Sequence, residues 1–149
     1  GNREDIIIIN NILTRYEVDS LISSCDCFVS LHRSEGFGLA IAESMALGKP
    51  VVATYWSSNV DFMNQGNSAC VDYAISELHV NCGPYLAGQH WAEPDINNAA
   101  MWMKQLVNEP ALYKTLSVKA QADIRSKLSP QKIGKKIANR ISELNQVSY

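Results

Sequence analysis

Two carboxylates eight residues apart, Glu35 and Glu43, enclose the string Gly36-Phe37-Gly38-Leu39 in a chain of 149 residues. The run Cys27 to Leu31 before them is apolar, and Leu39 to Leu47 after them is apolar nearly all round, broken by Glu43 and Ser44. An ionised group in apolar surroundings costs several kcal/mol or more unless it is partnered. Glu43 therefore calls for a dedicated hydrogen-bonding partner. Gly36 and Gly38 leave backbone amides uncovered where a helix would begin, and unpaired N–H groups together with the helix dipole favour an anion there. Glycine turn, helix start and two carboxylates make a site for a phosphorylated, polyhydroxylated ligand.

Each residue has a chemical role and a plainer one. Glu43, one turn into the helix, can accept from two vicinal hydroxyls such as a ribose 2′,3′-diol; the plainer role is a helix charge helped by the dipole or paired with a basic group. Glu35 precedes the helix, and its plainer role is a loop carboxylate. Gly36, Phe37, Gly38 and Leu39 would lend backbone amides to a ligand, or else only make a tight turn. Arg33 can grip phosphate with its planar fork or be a solvated surface arginine.

These residues need a strand to deliver them and a helix to receive them. Ile6–Ile9 is a β-branched run whose continuous apolarity suits a parallel strand covered on both faces. Thr14 and Glu17 form a capping-box pair that opens a helix to about Ser24. Cys27–Leu31 is then a second strand, Leu39–Leu47 a helix closed by Gly48 with Pro50 beyond, and Val51–Thr54 a third strand. Ser68–Tyr73 reads as a further strand and Asn81–Trp91, with two glycines and a proline, as a loop. Asp95 caps a helix over Ile96–Val107, Pro110 starts another to about Lys127, and Ser129-Pro130 starts a last one to about Leu144. The fold class is α/β: a Rossmann-like parallel sheet flanked by helices, with a helical C-terminal tail. Ligands of such sheets bind at the carboxyl ends of the strands, so the loops Asn10–Leu13, Ser34–Gly38 and Tyr55–Asn59 are expected to converge on one crevice.

Glu35 to Glu43, with Gly-Phe-Gly-Leu after the first glutamate and Gly-Lys-Pro-Val-Val-Ala-Thr after the second, resembles the E-x7-E motif of retaining glycosyltransferases of family 4. Cys25 to Leu31 falls where that family has the strand before the motif, and the resemblance runs from about Asp5 to the end of the chain. It implies the C-terminal, donor-binding half of a GT-B fold over residues 1–149, with the N-terminal acceptor domain absent. It further implies a nucleotide-diphosphate sugar as substrate, a glycan or lipid-linked acceptor, and no cofactor. Glu43 would hold the ribose, and Glu35 the transferred sugar and its oxocarbenium-like transition state. Gly36 to Leu39 would hold diphosphate and sugar, and Asn11 and Ile12 would face the nucleobase. The family often has a glycine near Asn11 and paired glycines at Ser57-Ser58, so this chain departs from it at both places. The site region has no Asp-x-Asp pair, so binding is expected to need no metal.

Composition is that of an ordinary globular domain, 46% hydrophobic and 19% charged, with a formal net charge of −2 that suggests no nucleic-acid partner. No apolar run approaches the roughly 20 residues a membrane span takes. The four cysteines lack metal-ligand spacing and read as reduced core residues, with the cytoplasm as location. The stripe Lys132, Lys135, Lys136 and Arg140 reads as a solvated face or a peripheral membrane contact. A stand-alone nucleotide-sugar-binding module without catalysis is the alternative. A dinucleotide-binding oxidoreductase is disfavoured, because G-x-G-x-x-G occurs nowhere.

Overall fold

A computed structural model describes residues 4–146. Helix α1 (Arg15–Ser24) leads to strand β1 (Phe28–Ser30), helix α2 (Leu39–Ala46) and strand β2 (Val51–Thr54). A short 3-10 turn (Ser58–Asp61) precedes β3 (Ala69–Val71), and β4 (Tyr73–Glu77) and β5 (His90–Pro94) follow. Helices α3 (Ile96–Asn108), α4 (Pro110–Leu128) and α5 (Pro130–Gln146) complete the chain.

The central sheet is parallel in the order β1-β2-β3, with Phe28 opposite Val51 and Val52 opposite Ala69. All four residues of β2 are buried. Successive strand residues point to opposite faces, so Val51 and Ala53 join Ile41, Met45, Phe62 and Ile124 on one side. Val52 joins Ala69, Val71, Ala99, Leu106 and Leu116 on the other. Helices thus cover both faces of the sheet, as continuous apolar strands require. The anticipated cap at Thr14 is made: its hydroxyl accepts from Glu17 N–H while the Glu17 carboxylate accepts from Thr14 N–H at 2.7 Å. Asp95 accepts from the amides of Asn97 and Asn98 at the start of α3.

Three expectations need correction. Ile6–Ile9 forms no strand; Ile7 and Ile8 are 86% and 85% exposed. A parallel strand needs a neighbour to satisfy its backbone N–H and C=O groups, and a β-branched run alone does not supply one. No strand among the described residues pairs with Ile6–Ile9. The loop expected over Asn81–Trp91 ends earlier than drawn: from His90 the chain forms β5, antiparallel to β4, with Tyr73 opposite Pro94 and Glu77 opposite His90. The cysteines are all free thiols, but only Cys70 is buried and Cys27 half-buried; Cys25 and Cys82 are exposed and belong to no core. Burial pushes the Cys27 and Cys70 thiols up to about 11.

The C-terminal helical tail forms as expected. Lys132 and every described residue of α5 from 134 onward are exposed, so the whole basic stripe is, and within it Arg140 pairs with Glu143 at 3.0 Å.

Candidate functional site

The site grows from the turn between β1 and α2. Gly38 caps α2 with φ +84°, a left-handed conformation that suits glycine. A Cβ there would sit 3.3 Å from the Ile41 Cδ1 and 3.4 Å from the Asn59 Cβ, so a side chain is unwelcome on two counts. Gly36 faces open space instead. No side chain caps α2 at Gly38. Among the described residues, the amides of Phe37, Leu39 and Ala40 bond to no acceptor. They remain open to a ligand anion, aided by the helix dipole.

Glu35 behaves in a way its sequence position did not announce. One carboxylate oxygen accepts from Gly36 N–H and Gly38 N–H, both at 3.1 Å. Two of the amides expected to serve a diphosphate are thus held by the neighbouring carboxylate, and a ligand must displace it to use them. The loop after β2 closes on this turn. The Ser57 hydroxyl donates to the Glu35 carbonyl oxygen, and the Phe37 and Phe62 rings lie 5.5 Å apart. Ser57 adopts φ +76° and ψ −160°, a region occupied almost only by glycine that costs a side-chain residue about 1–3 kcal/mol. The backbone therefore keeps the shape that paired glycines would take here, with a serine in place.

Glu43 has the dedicated partner its surroundings called for. Arg15, at the start of α1, donates from Nη1 to Glu43 Oε1 at 2.8 Å. The hydrogen bond to Glu43, then that to Asp19, raises the Arg15 guanidinium above its ordinary pKa. Oε2 of Glu43 takes no part in that bond, so it can still accept. Arg33 is engaged elsewhere: its fork grips Glu93 of β5 through Nε at 2.5 Å and Nη2 at 2.6 Å, and it lies 5.1 Å from the centre of the Trp91 ring. That pair holds the Glu93 carboxyl below its ordinary value. Arg33 can reach a phosphate only by giving up Glu93.

The structure brings two of the three expected loops together, Ser34–Gly38 and Tyr55–Asn59. Asn11 and Ile12 are exposed, and no side-chain hydrogen bond joins Asn10–Leu13 to the other two. Among the described residues no group of three His, Cys, Asp or Glu is arranged to hold a metal ion. Sequence reasoning missed Arg15 and Glu93, which meet their partners across 28 and 60 residues without any local signal. It placed His32 beside the motif without a role, and it passed over Trp56 and Tyr73, although Trp56 lay within a loop assigned to the crevice.

The family model described as Glycosyl transferases group 1 matches residues 1–77. The chain belongs to this family. More than half of the sequence is matched, from the N-terminus through β4, and both Glu35 and Glu43 fall inside the matched segment. The second hairpin strand and the three long helices lie beyond it. No curated protein matches the chain. Membership in glycosyl transferases group 1 carries glycosyl transfer, with a nucleotide-sugar donor and an acceptor, and the Rossmann-like layering agrees with it.

Proposed function

We propose that this chain is the donor-binding, C-terminal half of a family 4 glycosyltransferase of GT-B fold, retaining and independent of metal. It moves a hexose-type sugar from a nucleotide-diphosphate sugar to a glycan or lipid-linked acceptor, in bacterial-type polysaccharide assembly. The observation that carries the proposal is the uncapped start of α2, with open amides at Phe37, Leu39 and Ala40 between the two glutamates. The diphosphate lies against these amides, the ribose diol donates to Glu43 Oε2, and the transferred sugar lies beside Glu35. Fixed N–H dipoles supply the charge complement that a metal ion supplies elsewhere. The acceptor hydroxyl attacks the anomeric carbon on the face from which the diphosphate leaves, and the departing phosphate oxygen takes the acceptor proton. Configuration is thereby kept. An upstream α/β domain supplies the acceptor side of the cleft, and the enzyme works in the cytoplasm. Membrane contact is at most peripheral, through the basic stripe of α5; among the described residues no helix is long and apolar enough to cross a membrane.

The alternative is a nucleotide-sugar-binding module without catalysis. The engagement of Glu35 with its own loop amides is the observation on its side. Both readings require nucleotide binding, which heteronuclear NMR of the labelled chain tests. UDP, GDP, ADP or dTDP is expected to shift the amides of residues 36–40, with EDTA making no difference. The proposal fails if none of the four moves these resonances at millimolar concentration, or if Mn²⁺ is needed for the shifts. Glycosyl transfer by the protein carrying its upstream sequence separates enzyme from module.

A further inference from the structure

Beside the glycine turn lies a cavity of about 650 Å³ lined by Ser34, Tyr55, Trp56, Ser57, Tyr73 and His90. That volume is within the range of roughly 300–1,000 Å³ usual for small-ligand sites. Its walls come from the loop ends of β1 and β2 and from the β4–β5 hairpin. His90 lies beyond the segment that matches the family.

We infer that this cavity binds a pyranose ring, stacked against the aromatic pair Trp56 and Tyr73. Three observations argue for an uncharged, polyhydroxylated ring. No lysine, arginine, aspartate or glutamate lines the cavity, so nothing there balances a phosphate. The Trp56 and Tyr73 ring centres are 5.2 Å apart and their planes are tilted by 56°. They present a corner of aromatic surface, an apolar body with polar tips of the kind that suits mixed ligands. A pyranose ring offers C–H bonds to such a surface and hydroxyls at its rim. The hydroxyls of Ser34, Tyr55 and Ser57 and the His90 imidazole stand around the same space to meet that rim.

The aromatic wall is held in place. Trp56 O is an acceptor, so His32 must donate to it from Nε2, at 3.1 Å. Its Nδ1 is then free to accept from the Ser30 hydroxyl at 3.2 Å. That chain ties Trp56 to the end of β1. The strained Ser57 backbone and its hydroxyl bond to Glu35 O tie the next residue to the motif turn, and strain kept at such a place accompanies a binding role.

The inference rests on the proposed donor site in one respect: through Ser34 and Ser57 the cavity borders the Glu35 turn, beside which the transferred sugar is proposed to lie. The pyranose is therefore either the transferred sugar or a sugar unit of the acceptor.

The test follows the Trp56 indole N–H by NMR in the chain titrated with UDP, UDP-glucose, and methyl glycosides of glucose, mannose, galactose and rhamnose. At least one glycoside is expected to shift Trp56 at tens of millimolar. Tyr73→Leu, whose amide spectrum outside the cavity should match that of the parent chain, should weaken that glycoside by roughly tenfold while the UDP shifts at residues 36–40 stay unchanged. Competition between the glycoside and the nucleotide sugar assigns the cavity to the transferred sugar; simultaneous binding assigns it to the acceptor. The inference is overturned if no glycoside moves Trp56, if Tyr73→Leu leaves glycoside affinity intact, or if the UDP base moves Trp56 and the sugars do not. Glycoside binding without any UDP binding would leave the saccharide site standing and remove the donor site.

Discussion

At Gly38 and Gly36 two glycines of one motif do different work. Gly38 is held at φ +84° against Ile41 and Asn59, whereas Gly36 faces open space. Gly38→Ala is expected to lower unfolding free energy by about 1–3 kcal/mol, because a left-handed side-chain residue is strained and its methyl would press on the Ile41 side chain at 3.3 Å. Gly36→Ala should change it by no more than about 0.5 kcal/mol. Urea denaturation of both variants checks this, and equal losses would contradict the distinction. The motif was legible because glutamates at fixed spacing around glycines have a local physical meaning. Their partners were not: nothing near Arg15 in sequence points to Glu43, and nothing near Arg33 points to Glu93.

Among the elements, helices were more legible than strands. Capping residues such as Thr14 and Asp95 act within one turn, so sequence and structure agree there. Strand pairing depends on distant neighbours. Ile6–Ile9 has the composition of a buried strand but no ladder partner, and β5 mixes His90, Trp91, Glu93 and Pro94 without a clear alternation. A tertiary link between α4 and the turn before β3 yields a pH signature. The Asp123 carboxylate accepts from Lys119 at 2.7 Å and from Asn67 at 2.9 Å. These contacts, Lys119 first, hold it below its ordinary value of 3.8. The folded state therefore binds the proton less well than the unfolded state. The stability so gained is full above the ordinary value and is lost as pH falls through the lower folded one. The gap in denaturation midpoint between the parent chain and Asp123→Ala should be constant from about pH 7 to about pH 5 and shrink below about pH 4. A gap that persists or widens in acid would contradict this.

Across the whole molecule, stability is unevenly spread. β2 is buried on both faces and paired on both edges, while Ile6–Ile9 is exposed and unpaired. Native-state hydrogen exchange should find the amides of residues 51–54 among the slowest, opening only with global unfolding, and those of residues 6–9 near the unprotected limit. Strong protection at residues 6–9 would mean that the run has found a strand partner. The rigid centre positions the motif turn, since β1 and α2 both lean on β2. The site's moving part is then small: the Glu35 side chain, which must leave the Gly36 and Gly38 amides for a ligand to reach them.

The division of labour between the two glutamates is the central claim, and calorimetric titration of UDP into Glu35→Ala and Glu43→Ala tests it most directly. Hydrogen bonds to charged groups contribute about 1.5–3 kcal/mol each, so Glu43→Ala is expected to weaken UDP by roughly ten- to a hundredfold. Glu35→Ala frees two amides and removes only sugar contacts, so UDP affinity should be unchanged or higher. In the protein with its upstream sequence the same variant should lower kcat more than it raises KM. Equal losses of UDP affinity in the two variants, or a loss confined to Glu35→Ala, would contradict the assignment.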